Sequence, residues 1–218
     1  GSLTIELAKK NPKSITVIEK DERCIKALNE VKKTYRTPIK IINGDIIKFD
    51  EFSLNKKGII NISNLPYNIS TKLLIKWTTT SAPFSKYILM FQKEVAERLV
   101  SEKNKKTYSR ISVLTQWFYE VKLLFNVPRT AFIPKPKVDS SIIMLKPRPK
   151  PLYPANIKFL QKVLSCCFGY RRKMLKKSLS FIHPEAEKIL NRAGINTNLR
   201  AEDLSIKQFC DISRELEK

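Results

Sequence analysis

The sequence predicts an α/β fold: a mostly parallel sheet with an antiparallel terminal hairpin, followed by a small all-α C-terminal domain. Three observations support this assignment. Short β-branched runs alternate with amphipathic helical segments in the first half of the chain, as in βαβ units. Two further strand-like runs then follow one another with no helix between them, as an antiparallel pair does. From residue 157 onward only helical periodicity is found.

The elements of the first half can be assigned in order. The strands are β-branched runs bounded by turn residues, and the helices between them have one apolar face for the sheet. Helices are predicted at 4–10, 22–33, 71–77 and 93–100, and strands at 14–18, 38–42, 58–62 and 85–91.

The second half begins with a helix at 109–118, followed by the antiparallel strands 121–127 and 140–145 and the extended basic loop 128–137 between them. In the segment 146–151 prolines alternate with cations, which is typical of an interdomain linker. We therefore expect one domain at 1–147 and a helical domain at 148–218. The helices of the second domain are predicted at 157–168, 171–181, 184–193 and 205–216.

The charge balance indicates an anionic partner. Lys and Arg number 42 against 20 Asp and Glu, a net charge of +22. Such an excess attracts nucleic acid or an anionic membrane surface. The alternative is a proteome that favours lysine throughout. No apolar run approaches the roughly 20 residues of a membrane span. We expect nucleic acid, and no membrane, as the partner.

The cysteine and histidine content excludes some kinds of site. The four cysteines show no CxxC spacing, and there is only one histidine. We therefore expect no metal site and no histidine-based catalytic triad. Free thiols suit a reducing compartment, and with no signal-peptide pattern at the start we expect a cytoplasmic protein.

Two acidic residues end consecutive predicted strands, Glu19 and Asp45. In open α/β sheets ligands bind at the edge where parallel strands end. Glu19 could accept both hydrogen bonds of a ribose diol, and Asp45 could accept one from the exocyclic amine of an adenine. Singly, each is better explained as a solvated acid or a turn residue. With Asn64 near the end of the next strand, they outline a nucleoside-like ligand.

The stretch 64–70, Asn-Leu-Pro-Tyr-Asn-Ile-Ser, joins the third strand to a helix. Pro66 favours an extended Leu65, which can turn the Leu65 carbonyl outward beside the Asn64 side-chain oxygen. Two acceptors facing one point can bind both protons of an –NH2 group and aim its lone pair at an electrophile, with no general base needed at the start. Tyr67 can stack on the base. The alternative is an ordinary turn; Ser70 or Thr71 is the predicted helix cap.

Five cations are expected on one helix face in the C-terminal domain. Aimed at phosphates, such a stripe gives salt-sensitive, sequence-independent affinity for RNA. The alternative is a helix face that is merely solvated. The residues are Arg171, Arg172, Lys173, Lys176 and Lys177.

Six stretches carry a resemblance that runs in the same order along the chain, from its start nearly to its end. They are 16–19, 44–45, 64–70, 92–99, 131–140 and 168–173. They resemble the ribosomal RNA adenine-N6,N6-dimethyltransferase family.

The resemblance implies a Rossmann-like class I methyltransferase sheet and S-adenosylmethionine as cofactor. It implies dimethylation of two adjacent adenosines near the 3′ end of small-subunit (16S) ribosomal RNA, with an assembling 30S subunit as partner and substrate. Glu19 would bind the cofactor ribose, Asp45 its adenine, and Gly1 would end a glycine-rich loop. Asn64 would contact both the cofactor and the target amine.

The catalytic residues implied by the resemblance are Asn64, Leu65, Pro66, Tyr67 and Phe132. Tyr67 would stack on an adenosine flipped out of the RNA, since the amine is out of reach while the base is stacked and paired. Phe132 would form the other wall of this pocket; packing under the proline-rich loop is the alternative for its ring.

The likeness departs from the family at the front. Family members begin with a basic segment, a central first strand and a glycine-rich loop, of which 1–4 resembles only the end. We therefore expect an N-terminally truncated chain, acting as a monomer. Two alternatives remain: a large-subunit adenine methyltransferase that confers antibiotic resistance, and a non-catalytic RNA-binding or ribosome-assembly factor on the same fold.

Overall fold

The computed structural model describes residues 1–218, which divide into two compact units, 1–55 and 56–218. The first unit is a βαβ arrangement preceded by a short helix. Its strands pair in parallel, with Ile15 opposite Ile39 and Glu19 opposite Asn43. The elements are α1 (Ser2–Ala8), β1 (Ile15–Glu19), α2 (Glu22–Thr34) and β2 (Ile39–Asn43).

Helix α2 begins where a carboxylate caps it. Asp21 Oδ1 accepts the backbone N–H of Arg23 at 2.9 Å, and the Arg23 guanidinium donates to the same carboxylate. The hydrogen bonds from the Arg23 side chain, together with that from its backbone, lower the pKa of Asp21 to about 2. The cap therefore fixes the point at which the chain leaves the end of β1.

The second unit contains a four-stranded sheet in the order β3-β4-β6-β5. Strands β3 and β4 are parallel, and β6 is antiparallel to both β4 and β5, so it alone runs in the opposite direction. The predicted mostly parallel sheet with an antiparallel terminal hairpin is confirmed. Its elements are β3 (Ile59–Asn64), α3 (Tyr67–Thr80), β4 (Phe84–Gln92), α4 (Lys93–Leu99), α5 (Arg110–Phe118), β5 (Tyr119–Val127) and β6 (Ser140–Pro147).

An aromatic cluster holds α3 on the sheet. The Trp77 side chain is fully buried, with its ring 6.1 Å from Phe84 and 5.5 Å from Tyr87, centroid to centroid. Such contacts add to the free energy gained from burying the rings. The N-terminus of α3 is thereby held near the edge where β3 ends.

The last part of the chain is helical, as predicted, and it shares a hydrophobic core with α5 through residues such as Trp117. The predicted linker starts inside β6 and then lies along α5: the N–H groups of Arg148 and Leu152 donate to the carbonyls of Phe118 and Trp117. The domain boundary after residue 147 remains a prediction. The helices are α6 (Ile157–Gly169), α7 (Leu175–Leu179), α8 (Ala186–Arg192) and α9 (Ile206–Glu217). None of the chain's helices combines the length and apolar character needed to cross a bilayer.

The predicted helix at 171–181 is wrong. Residues 170–173 form a turn and bend, and only Leu175–Leu179 is helical. Met174 has an extended conformation, with ψ 153°. The N–H groups of Leu175 and Lys176 donate to the carbonyls of Leu199 and Thr197, at 2.8 and 3.2 Å, and not to a preceding helical turn. A continuous helix cannot form through this point.

Candidate active site

The first unit places the two predicted acidic residues on adjoining strand ends. The Gly44 N–H donates to the Glu19 carbonyl at 2.9 Å, which ties Asp45 to the tip of β1. Glu19 Oε1 accepts the N–H groups of the next two residues, at 2.8 and 3.0 Å. Asp45 Oδ1 accepts the Ile47 N–H at 2.9 Å. In each carboxylate one oxygen is engaged by the local loop, and the other has no partner in the chain.

Gly1 lies at the N-cap of α1. Its carbonyl accepts the Ile5 N–H at 3.0 Å. A Cβ atom at this position would lie 3.8 Å from Leu28 and 3.9 Å from Val31, which is ordinary van der Waals contact. Nothing in its packing requires glycine, and its role in cofactor binding remains a prediction.

In the second unit, β3 ends at Asn64, level with Met90 of the parallel strand β4. Asn64 is exposed and its carboxamide makes no hydrogen bond with the rest of the chain, whereas Leu65 is buried at 7% exposure. Pro66 is exposed, with φ −54° and ψ 134°, and its carbonyl accepts the N–H groups three and four residues further on, each at 3.1 Å. The buried Leu65 side chain thus anchors a segment whose neighbouring residues face solvent.

The predicted cap of α3 at Ser70 or Thr71 is wrong, because the helix begins at Tyr67 with Pro66 at its N-cap. Ser70 is buried inside the first turn, where its hydroxyl donates to the Tyr67 carbonyl at 3.1 Å. The fixed φ of proline suits the start of a helix, and proline has no N–H group that would need a partner there.

The Tyr67 ring is fixed by a contact that the sequence does not reveal. Its hydroxyl lies 2.6 Å from the Ser140 hydroxyl. Ser140 is the first residue of β6, opposite Gln92 of β4 and Val127 of β5. The bond therefore holds the half-buried ring at the edge of the sheet where β3 and β4 end. Ser140 ends the family-like stretch 131–140, but no local pattern links it to Tyr67.

Phe132 lies half-buried in the β5–β6 connection, which leaves and rejoins the sheet at this same edge. Asp139 closes the base of the loop: its carboxylate accepts the Arg129 N–H at 2.9 Å, and its carbonyl accepts the Lys93 N–H at 2.9 Å. The Phe132 and Tyr67 rings do not contact each other. The structure thus brings both predicted aromatic residues to one edge without stacking one on the other.

The predicted cations do not form one helical stripe. Arg171 Nε donates to Glu202 Oε2 at 2.6 Å, and its Nη2 lies 3.5 Å from the Lys105 carbonyl. The Asn104 N–H also donates to the Glu202 carbonyl, at 2.9 Å. Arg171 is therefore partly occupied in joining the basic loop 103–106 to the C-terminal helices. This brings Lys105 and its neighbours close to the predicted RNA-binding segment, a juxtaposition that sequence reasoning missed.

The remaining cations are available to a ligand. Arg172, Lys173 and Lys177 are exposed, and Lys176 is half-buried. Only the last two of the five predicted residues lie on α7. The positive charge is thus spread over a turn and a short helix, with no acidic residue between 170 and 182.

A family model and a curated relative both match this chain along its whole length. The family model described as ribosomal RNA adenine dimethylase matches residues 1–218. The chain is 41% identical over 221 residues to the "Ribosomal RNA small subunit methyltransferase A" of Ruegeria sp. (strain TM1040), covering 100% of this chain and 79% of that protein.

Two solved structures are similar over the whole of this chain. A dimethyladenosine transferase from Plasmodium falciparum matches with a TM-score of 0.80 at 25% identity, covering 86% of that chain. The 23S rRNA methyltransferase ErmE matches with a TM-score of 0.70, also at 25% identity, covering 87% of that chain. Both agree with the methyltransferase fold expected from the sequence.

Proposed function

The chain belongs to the ribosomal RNA adenine dimethylase family, and from this premise we propose that it dimethylates two adjacent adenosines, at N6, near the 3′ end of small-subunit ribosomal RNA. The observation that carries the proposal is the Asn64–Tyr67 segment, which presents an unpartnered carboxamide beside a fixed aromatic ring at the sheet edge. The small-subunit target is favoured because the relative named for it is 41% identical over the whole of this chain.

The residues of the first unit fit the cofactor, S-adenosylmethionine, which supplies the methyl group when it is bound. The unpartnered oxygen of Glu19 can accept from a ribose hydroxyl, and that of Asp45 from an adenine amine. Because local N–H groups already orient both carboxylates, little conformational freedom is lost when a ligand binds them.

The residues of the second unit act on the target base. The Asn64 side-chain oxygen and the Leu65 carbonyl accept hydrogen bonds from the N6 amine and so direct the nitrogen lone pair. The Tyr67 ring stacks on the base, and its hydrogen bond to Ser140 restricts the ring. Phe132, from the β5–β6 loop, forms the second wall. A base can enter such a site only when it is flipped out of the RNA stack.

We extend the proposal to the partner, small-subunit ribosomal RNA within an assembling 30S subunit, bound by a monomer in the cytoplasm. Residues 148–218 form the RNA-binding domain of this proposal, and 1–147 the methyltransferase domain. Support comes from the exposed cations Arg172, Lys173 and Lys177, which no acidic neighbour in their segment neutralises. Contacts of this kind bind phosphates and are weakened by salt.

The experiment is methyl transfer from labelled S-adenosylmethionine to small subunits that lack the modification, followed by mapping of the labelled bases. We expect label in two adjacent adenosines near the 3′ end, and none in subunits that already carry the methyl groups. Label confined to large-subunit RNA would support the resistance-type enzyme instead. RNA binding without any transfer would support a non-catalytic assembly factor.

A further inference from the structure

Two aromatic rings are stacked on the surface of the helical part, outside the core. The Tyr170 and Phe181 rings lie 4.2 Å apart, centroid to centroid, with an angle of 19° between their planes. Tyr170 is 40% exposed and Phe181 is 55% exposed. The catalytic roles proposed above make no use of this pair.

The chain holds the pair on a rigid base. Tyr170 follows the end of α6 and Phe181 follows α7, so the rings close the segment between the two helices. On the inner side Leu175 and Leu179 are almost completely buried. The Leu175 N–H is bonded to the distant Leu199 carbonyl at 2.8 Å. Because the leucines supply the packing, the rings are left facing solvent.

A cation lies beside the two stacked rings. Lys173 Nζ is 5.3 Å from the Tyr170 centroid and 4.8 Å from the Phe181 centroid. A cation on the outer face of either ring would lie much further from the other ring, so these two similar distances place it at the side. Lys173 therefore does not lie over the outer face of either ring.

The charge around the rings identifies the ligand class. Between Tyr170 and Phe181 the chain carries five cations and no acid. A ligand that offers a flat ring to an aromatic face and an anion to neighbouring cations is a nucleotide. RNA offers both groups at each unpaired position, and every base has a π-face that can stack.

We propose that the Tyr170–Phe181 pair is a stacking platform for one unpaired base of the RNA substrate, with the flanking cations bound to the adjoining phosphates. The inference rests on the proposed function in taking RNA as the ligand, and it adds a second base contact away from the Asn64–Tyr67 segment. Such a contact would distinguish RNA that carries an unpaired base from a continuous duplex.

The test uses the full chain and an RNA hairpin with a single-stranded tail in which 2-aminopurine replaces one base at a time. With the native chain, we expect fluorescence quenching at a tail position and none at stem positions. Phe181→Leu keeps an apolar side chain but removes the π-face, so it should abolish the quenching and weaken binding by about fivefold to 100-fold. Phe181→Trp should retain both properties.

A matched charge variant separates stacking from phosphate contact. Arg172→Ala should retain the quenching while lowering the slope of log K against log salt by about one, whereas Phe181→Leu should leave that slope unchanged. Thermal unfolding of each variant checks that the fold is retained. Tyr170→Leu tests the second ring in the same way as Phe181→Leu.

Quenching and affinity that persist in both leucine variants would overturn the platform. So would variants that lose only binding to phosphatidylserine vesicles, because the rings would then be a membrane contact. A native chain that shows ring-dependent quenching but methylates no small-subunit RNA would refute the proposed function and leave the platform standing. If the leucine variants methylate small-subunit RNA and bind it with normal affinity, the platform would be refuted and the proposed function would stand.

Discussion

The hydrogen bond between Tyr67 and Ser140 allows a quantitative test of how the Tyr67 ring is held in place. The two hydroxyls are 2.6 Å apart and come from residues 73 positions apart in the chain. Three variants isolate the bond: Tyr67→Phe, Ser140→Ala and the double replacement. Phenylalanine keeps the ring that is proposed to stack on the base, so only the hydroxyl contact is removed.

The burial of the two partners sets the expected magnitudes. Ser140 is completely buried, whereas Tyr67 is only half-buried. Tyr67→Phe leaves a buried hydroxyl without a partner, and the free energy of unfolding should fall by about 1–3 kcal/mol. Ser140→Ala leaves a phenol that can reach water, and should cost about 0.5–1.5 kcal/mol. In the double variant both groups are absent, so its loss should be smaller than the sum by about 1 kcal/mol.

Urea unfolding of the four proteins measures this coupling, and methyl-transfer kinetics measure its consequence for the site. Because the ring of Tyr67→Phe is retained but less restricted, kcat/KM should fall by about fivefold to tenfold, a loss of about 1 kcal/mol. If the two single-variant losses in unfolding free energy add up to the loss in the double variant within about 0.3–0.5 kcal/mol, the bond does not couple the two residues. Greater destabilisation by Ser140→Ala than by Tyr67→Phe would contradict the assignment of the buried partner.

Three further predictions concern separate features. Asn64→Ala removes an exposed, unpartnered carboxamide, so kcat should fall about 100- to 1,000-fold while the RNA dissociation constant and the unfolding midpoint stay unchanged; equal loss of RNA binding would contradict the role given to Asn64. Glu19→Gln should raise the S-adenosylmethionine dissociation constant in calorimetric titration by about tenfold to 100-fold, with kcat at saturating cofactor nearly retained. Burial raises the pKa of the Cys167 thiol from 9.0 to about 12, so in the native chain this thiol should resist disulfide reagents at neutral pH. The same shift contributes to the free energy of unfolding. This contribution is complete below about pH 9 and should be lost as the pH rises toward 12, because the thiol of the unfolded chain ionises first.

The architecture was predictable because most elements depend on local pattern. The strand expected at 38–42 is found at Ile39–Asn43, and the helix expected at 22–33 is found at Glu22–Thr34. The segment 171–181 failed because the spacing of Leu175 and Leu179 suits a longer helix. What keeps the helix from beginning at residue 171 is backbone bonding of Leu175 and Lys176 to the 197–199 loop, which no local window contains.

The residues of the candidate site also fall into two groups: those that a local pattern predicts and those whose contacts only the fold reveals. Asn64 to Tyr67 could be identified because four neighbouring residues carry the whole pattern, and the order of the strands then brings Phe132 to the same edge. Ser140 could not be identified as the partner of Tyr67, because that contact depends on how β6 is seated. Similarly, the count of cations predicts a nucleic-acid partner, but only the fold shows that Arg171 is already paired with Glu202.

The position of Pro66 decides where α3 begins. A proline disfavours helical conformation in the residue before it, and α3 begins after Pro66, at Tyr67. The first carbonyl used by the helix is that of Pro66 itself, which accepts the N–H groups of Ile69 and Ser70. Had the helix begun one residue sooner, the Leu65 carbonyl would have been bonded within its first turn. In the proposed function the Leu65 carbonyl, which the first turn of α3 does not use, is the second acceptor beside the Asn64 carboxamide.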